Sequence, residues 1–326
     1  MGITIQPVSI LGGGPAGATA AITARIEGSE VHLIEKSKLP RHKVCGEFLS
    51  PEITPLLEGL GVWDAFLAAG PARVNRMKLH FGKREKVSRL RESAWGLSRY
   101  AFDALLFDQA IALGAQLHRE PIGDPQVIAT GRHSSGSPPR KRDRLFGFKA
   151  HFEGPSDDAV ELFFFDRCYV GLNAVEGGRT NVCGLGPEGF LRRNGFEYDQ
   201  IVRQSPALAA RLAPLQRCMN WLSTGPLQYQ QAFDPGRSQY LAGDALSFVD
   251  PFTGSGLLAA VKTGTLAGKA AARREPVAAY LAACRASLRK PFEIATMLRA
   301  ALDWGWADRF AGLIPGRILF ALTRPE

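Results

Sequence analysis

A glycine-rich turn near the N-terminus has the most informative spacing in the sequence. An apolar run over residues 8–11 leads directly into it, and an alanine-rich segment with helical spacing follows. Glycines in such a turn let the chain bend tightly, let the backbone approach a pyrophosphate, and let the helix pack closely against the strand. The free N–H groups and positive dipole end of that helix favour a bound pyrophosphate. The residues expected to form this dinucleotide site are Gly12, Gly14, Pro15, Ala16 and Gly17.

A second apolar strand over residues 31–34 ends at Glu35, which lies 18 positions after Gly17. A carboxylate at this distance can accept hydrogen bonds from a ribose diol and would repel a 2′-phosphate. A glycine pattern alone is weak, but the strand, turn, helix, strand and acid in this order are specific. We therefore assign Glu35, with the adjoining Lys36, to the same site.

A second helix preceded by a glycine-rich loop lies further along the chain. It follows a strand that ends near residue 243, and the helix itself runs to about Arg273. Its N-terminus can face an anion or a polar carbonyl, and an acid beside the strand end can bind a polyol hydroxyl. The alternative, a helix N-terminus that binds nothing, is disfavoured by the dinucleotide pattern upstream. The residues assigned to this half of the site are Gly243, Asp244, Pro251, Gly254, Ser255, Gly256 and Leu257.

The segment between the two glycine motifs, residues 39–50, mixes basic residues, glycine and a single cysteine, and its composition predicts a loop. Cys45 is the candidate catalytic residue, and Cys45 and Gly46 are also assigned to the cofactor site. The alternative is a small, buried side chain without a chemical role. No other residue stands out from the sequence as an acid or base.

Composition limits the class of protein. The chain has 326 residues, a net charge of +9, and 45% hydrophobic residues, which is typical of a folded protein of one or two domains. Two basic runs, 83–86 and 138–144, contain acids and lack aromatic residues. They are interpreted as solvated loops, so no nucleic-acid partner is expected.

Five scattered cysteines without a CxxC pair, and six histidines without ligand spacing, predict neither a disulfide framework nor a metal site. With no secretory signal and no long apolar run, the expected location is cytoplasmic. The C-terminal region from residue 277 is expected to be helical. Its apolar stretch at 318–322 fits capping of the domain better than contact with a membrane surface.

Five segments carry a family resemblance: GGGPAGATAA, LIEK, PRHKVCGEFLSP, GLSRYAFDALL and YLAGDALSFVDPFTGSGL. Together they resemble the FAD-dependent oxidoreductases of the geranylgeranyl-reductase and aromatic-hydroxylase superfamily. The resemblance implies that the first three glycines of the motif hold the FAD pyrophosphate, that Glu35 binds the adenosine ribose, and that Arg41 and Arg99 lie near the cofactor. It further implies that Asp244 binds the ribityl or pyrophosphate part, and that Pro251 and residues 254–257 line the isoalloxazine. NAD(P)H would act as an external donor without its own Rossmann domain.

Four departures from the family patterns stand out. Only residues 116–128 lie where a three-stranded meander would be expected, which is too short, and Thr130 replaces the usual aspartate. Of the Tyr-x-Trp-x-Phe-Pro signature of prenyl reductases, only Tyr169 is present. The halogenase signature Trp-x-Trp-x-Ile-Pro is split between 304–306 and 314–315, too far apart to be that element.

The sequence thus predicts an α/β fold. A Rossmann-like FAD-binding domain with a parallel sheet and helices would comprise 1–70, 99–144 and 236–275. An antiparallel β-sheet substrate domain would comprise 71–98 and 145–235, and a C-terminal helical cap 276–326. The expected function is an FAD-dependent reductase of a bulky apolar or prenyl-like small molecule. Two alternatives are a monooxygenase of an aromatic or polyketide-like substrate, and a trimmed paralogue with weak or no FAD binding that acts as a binding or structural protein.

Overall fold

The computed structural model describes residues 7–131, 144–227, 230–231, 233–248 and 254–288. Pro251, the Trp304–Trp306 pair and the apolar stretch at 318–322 lie outside these residues. The strands are β1 (Val8–Leu11), β2 (Val31–Ile34), β3 (Phe48–Leu49), β4 (Ala72–Phe81), β5 (Arg84–Gly96), β6 (Gln116–His118), β7 (Val127–Ile128), β8 (Leu145–Glu153), β9 (Ala159–Phe165), β10 (Cys168–Ala174), β11 (Arg179–Pro187), β12 (Gln216–Arg217), β13 (Leu222–Leu227), β14 (Gln230–Gln231), β15 (Tyr240–Leu241) and β16 (Ser247–Phe248). The helices are α1 (Pro15–Ile26), α2 (Thr54–Gly59), α3 (Trp63–Ala68), α4 (Arg99–Ala112), α5 (Glu188–Arg193), α6 (Tyr198–Arg203), α7 (Pro206–Leu212) and α8 (Gly256–Arg273).

The first sheet is parallel and has the strand order β15-β7-β1-β2-β6. Its central strands are mainly apolar and mostly buried, as expected for a parallel sheet covered by helices; Ile10 and Leu33, which pair in register, have no exposed surface. Residues 119–126, between β6 and β7, contain no strand. The Rossmann-like sheet is therefore confirmed, and so is the shortening of the connection that usually carries a meander.

The second sheet runs β12-β8-β11-β10-β9-β4-β5-β3, with β13 also on β8. It is antiparallel except for the parallel pair β4–β9. Phe148, Ala150 and Phe152 of β8 face one side and pack with α5, α6 and α7, while Lys149 and His151 face the other. The four long strands β8 to β11 match the sequence prediction. The three covering helices were missed because each has only six or seven residues, too few to show a helical period.

The two sheets do not divide cleanly at the predicted domain boundaries. The short strand β3, Phe48–Leu49, belongs to the predicted FAD-binding segment 1–70 but pairs with β5 of the second sheet. The segment that precedes β3 therefore links the two sheets, and the division into domains stays a prediction. Among the described residues, no helix combines the length and the apolarity that a membrane crossing requires.

Helices α1 and α8 pack with their backbones in close contact. A Cβ added to Gly264 would lie 2.3 Å from the Ala16 carbonyl oxygen, and one added to Gly268 would lie 2.3 Å from the Ala20 carbonyl oxygen. Because both contacts advance by four residues in the same direction, the helices are parallel. Gly264 lies eight residues into α8, so the α8 N-terminus stands about 12 Å beyond the level of Ala16, at 1.5 Å per residue.

We predict that Gly268→Ala destabilises the protein. The gain in helix propensity of about 1 kcal/mol is outweighed because the added carbon forces the helices apart, at a net cost of about 1–3 kcal/mol. Gly59→Ala is the control, since its added carbon meets no atom within 4 Å. Urea unfolding measures both; equal midpoints for Gly268→Ala and wild type would contradict the packing described.

Candidate functional site

The glycine turn after β1 is closed by Glu35. Gly12 has a φ of +107°, and a Cβ at Gly17 would lie 1.7 Å from the Gly12 carbonyl oxygen, so neither position accepts a side chain. The Glu35 carboxylate accepts hydrogen bonds from the backbone N–H of Gly13 at 2.8 Å and of Ser37 at 2.7 Å. Glu35 thus fixes the shape of the turn, while its contact with a ribose stays a prediction.

The α1 N-terminus is suited to an anion. Gly14 is the N-cap and provides no side-chain cap, and Pro15 begins the helix, so the first-turn N–H groups are open to a ligand. The Lys43 ammonium lies 3.7 Å from the place where a Cβ on Gly14 would stand. Backbone donors and a cation at one point fit the pyrophosphate of FAD.

Lys43 was missed by the sequence reasoning, which named Arg41 and Lys36 instead. Both of those side chains are exposed, whereas Lys43 is tied to the buried Asp103 at 2.7 Å. Arg99, which was predicted, donates to the same carboxylate at 2.8 Å and also interacts with the Cys45 sulfur. Burial would raise the pKa of Asp103, but Arg99 and Lys43 more than offset this and lower it.

The second half of the predicted site lies at the start of α8. Gly243 is buried, has a φ of +61°, and donates its N–H to Thr263 at 2.8 Å. Gly254 has a φ of +63°, and an added Cβ there would lie 3.0 Å from Phe48. A Cβ on Gly256 would meet no atom within 4 Å. The start of α8 is therefore open on one side and bounded by β3 on the other.

The remaining predicted residues of this half also lie at the start of α8 or beside it. Asp244 is half-buried in the turn that follows β15. Ser255 is the α8 N-cap without a side-chain cap, and Leu257 is buried in the core. The fold thus brings the two predicted halves together, while contact of each of these residues with FAD stays a prediction.

The segment 43–47 crosses the face of the second sheet and ends in a buried carboxylate. Glu47 has no exposed surface, yet its carboxylate accepts hydrogen bonds from the Arg99 N–H at 2.6 Å, from the Lys149 ammonium, and from His151 at 2.7 Å. Burial would raise the pKa of Glu47, but the His151 hydrogen bond and the Lys149 charge more than offset it, so the pKa is lowered. Glu47 is therefore an anion paired with a fully buried ammonium.

Two asparagines hold the same segment from beneath. Asn181 donates to the carbonyl oxygens of Cys45 at 3.2 Å and Gly46 at 2.9 Å, and Asn173 donates to that of Glu47 at 3.3 Å. Cys45 is half-buried, and its sulfur accepts the Glu47 N–H at 3.4 Å. The position of Cys45 is thus fixed by backbone bonds, while its catalytic role stays a prediction.

One sequence signal for this cluster was available and was not used. In β8, Lys149 and His151 alternate with Phe148, Ala150 and Phe152. Ionisable side chains at alternate positions of an apolar strand indicate a sheet face that is buried and polar.

The fold also brings together three potential metal-ligand residues that the sequence spacing did not suggest. His42, Glu47 and His151 place one potential metal-ligand atom each within 4.8 Å of one another. The Lys149 ammonium, however, already neutralises the carboxylate, so a divalent cation would bring uncompensated charge into a buried place.

Comparison with known proteins agrees with this geometry. Residues 6–121 match the family described as FAD binding domain. The match covers the first third of the chain, where the glycine turn, Glu35 and α4 lie.

The proteins that are similar to this chain differ in their named activities. The chain is 32% identical to the flavin-dependent halogenase armH2 of Armillaria mellea, over 77% of this chain and 62% of that one. It is 26% identical to the digeranylgeranylglycerophospholipid reductase of Methanoculleus marisnigri, over 82% and 76%. The solved structure of the flavin-dependent brominase Bmp2 has the same fold, with a TM-score of 0.80 and 20% identity, covering 97% of this chain and 92% of that one.

The matched regions cover 21% of the halogenase rdc2 of Metacordyceps chlamydosporia and 62% of armH2, so the chain spans less than two thirds of these two relatives. FAD is the cofactor that the superfamily and the two helix N-termini support.

We predict that Glu47 stabilises the fold in a pH-dependent way. Because its pKa is lower in the folded chain, its contribution is complete above pH 4.5, the usual value, and is lost as the pH falls through the folded-state pKa. Glu47→Gln should cost about 3–5 kcal/mol at pH 7, since it strands the Lys149 charge, and should flatten the pH dependence below pH 4.5.

The double variant Glu47→Gln with Lys149→Met is the control, because it removes both charges and should recover most of the loss. Urea unfolding at pH 7 and at pH 4 measures all three proteins. A single variant as stable as the double variant would show that Lys149 does not depend on Glu47.

Proposed function

We propose that this chain is an FAD-dependent reductase that transfers electrons from an external donor to a bulky apolar small molecule. The FAD pyrophosphate would lie at the α1 N-terminus, and its ring would point towards the α8 N-terminus. Both termini lack a side-chain cap and face the same way, about 12 Å apart along the helix axes. Bound FAD would supply the hydride chemistry; the chain supplies binding, orientation and charge.

The substrate class rests on one observation about the second sheet. Beyond its polar end, the face that contacts segment 43–47 continues into apolar side chains that are only half-buried: Val160, Leu162, Phe164 and Tyr169. The opposite face is sealed by α5 to α7. A half-buried apolar strip beside a cofactor site is suited to an apolar ligand.

Oxygen-dependent halogenation is the second candidate, because several relatives are named as flavin-dependent halogenases. The flavin halogenases carry a catalytic lysine, and two lysines of the second sheet are already held in ion pairs. The Lys149 ammonium is buried against Glu47, and the Lys78 ammonium pairs with Asp157. Neither amino group is free to react with a hypohalous acid.

We predict that the purified protein is yellow and releases FAD on denaturation. Gly256→Val should weaken FAD binding at least tenfold without loss of stability, because no atom of the described residues lies within 4 Å of the added Cβ. Gly59→Ala, whose added carbon also meets no atom of the described residues within 4 Å, is the control for FAD binding. Absorbance and fluorescence titration measure both; a Gly256→Val protein with wild-type affinity would remove the α8 N-terminus from the site.

The reaction type is tested with the photoreduced protein. We expect anaerobic saturation of a carbon–carbon double bond in a polyprenyl alcohol or isoprenoid quinone, followed by the return of oxidised flavin absorbance. A brominated phenol formed in air with bromide, and no anaerobic turnover, would instead establish the halogenase.

A further inference from the structure

The buried cluster of His42, Glu47, Lys149 and His151 lies directly beneath segment 43–47 and has no role in the function proposed above. Its fixed charges cancel, because Glu47 is an anion and Lys149 a cation with no exposed surface. His42 is half-buried, and burial together with the Lys149 charge lowers its pKa. His42 is therefore neutral at neutral pH, and an added negative charge nearby would be uncompensated.

One buried nitrogen in this cluster lacks a partner. The His42 Nδ1 atom is inaccessible and has no hydrogen bond among the described residues, and the Asn181 Oδ1 atom is in the same condition. Asn181 is the register neighbour of His151, and the His42 ring meets the His151 ring edge-on at 5.2 Å. Buried polar atoms without partners are rare, and an ordered water is a common partner for such atoms.

The spacing suits one water molecule. A ligand atom of His42 lies within 4.8 Å of the Glu47 carboxylate and of His151. No direct hydrogen bond joins His42 to either group among the described residues, and a single bridging water covers such a distance. A metal ion at this point would meet the Lys149 charge, as argued above. A neutral water satisfies the unpaired atoms without that repulsion.

We propose that His42, a bridging water and His151, held by Glu47, form a proton-relay chain that takes up a proton when the bound flavin is reduced. The proposal rests on the proposed function, since it needs FAD at the neighbouring helix N-termini. Two-electron reduction places a negative charge on the flavin ring, and an anion raises the pKa of nearby imidazoles. The proton passes from solvent to the half-buried His42, and across the water to His151, where Glu47 stabilises the imidazolium.

The cluster reaches the protein surface through His42, which is half-buried. The His42 ring lies against the Tyr100 ring with the centroids 5.0 Å apart and the planes tilted by 31°, and Tyr100 is 45% exposed. The other groups that face His42 determine its charge state. They are Lys149 and His151 on β8, Glu47 on the crossing segment, and Arg179 at the start of β11.

Both candidate reactions need such a proton. Hydride transfer to a carbon–carbon double bond leaves a carbanion equivalent that must gain one proton, and activation of oxygen by a reduced flavin also consumes one. A site closed to water needs an internal supply. His42 and His151 are therefore assigned as proton-holding residues, and Glu47 as the residue that positions His151.

The experiment measures the midpoint potential of the bound flavin from pH 6 to pH 9 in wild type, His42→Gln and His151→Gln. If one extra proton is taken up per two electrons, each pH unit changes the equilibrium constant for flavin reduction by a further factor of ten. The midpoint potential then shifts by about a further 30 mV per pH unit. We expect both variants to lose this extra slope. His80→Gln is the control, because His80 is also half-buried beside a carboxylate, Glu161, but stacks on Phe163 on the opposite face.

The outcomes separate this inference from the proposed function. Variants that bind FAD and keep the wild-type slope overturn the relay and leave the function intact. Stoichiometric metal in the purified protein that is lost in His151→Gln would replace the relay with a metal site. If no FAD binds, the proposed function fails, and imidazole titration by NMR in the ligand-free protein still tests the chain: His42→Gln must move the His151 titration, and independent titration overturns it.

Discussion

The close parallel packing of α1 on α8 is the constraint on which the candidate site depends. Gly264 and Gly268 let two helix backbones touch, and this contact fixes the direction and offset of two helix N-termini. An extended dinucleotide needs donors at two separate points, and the helix pair provides them from opposite ends of the sequence. A wider separation of the helices would move the two points relative to each other.

The second constraint is the attachment of segment 43–47 to the second sheet. Its backbone is held by Asn173 and Asn181, and its buried end, Glu47, is held by Lys149 and His151. At its start, Lys43 reaches the α1 N-terminus. The segment therefore fixes the position of the cofactor site relative to the second sheet. This role explains why so much charge is buried at a place with few apolar contacts.

The sequence predicted the parts of the structure that depend on local pattern. The turn at Gly12–Gly17, the acid at Glu35 and the opening of α8 carry short-range signals, because backbone conformation and helix ends are local properties. The cluster around Glu47 could not be found this way. Its members come from the crossing segment, α4 and β8, and only the fold brings them together, although the alternation of Lys149 and His151 in an apolar strand was a readable sign. The same holds for Lys43, since sequence composition cannot distinguish it from Arg41, two residues earlier.

The order of the elements along the chain has a consequence for synthesis. The first sheet is completed by β15 and covered by α8, and both follow the whole of the second sheet in sequence. During translation, the small-residue surface of α1 around Ala16 and Ala20 has no partner until residue 268 has left the ribosome. The apolar surface of α1 therefore stays exposed, and accessible to chaperones, until α8 has been synthesised.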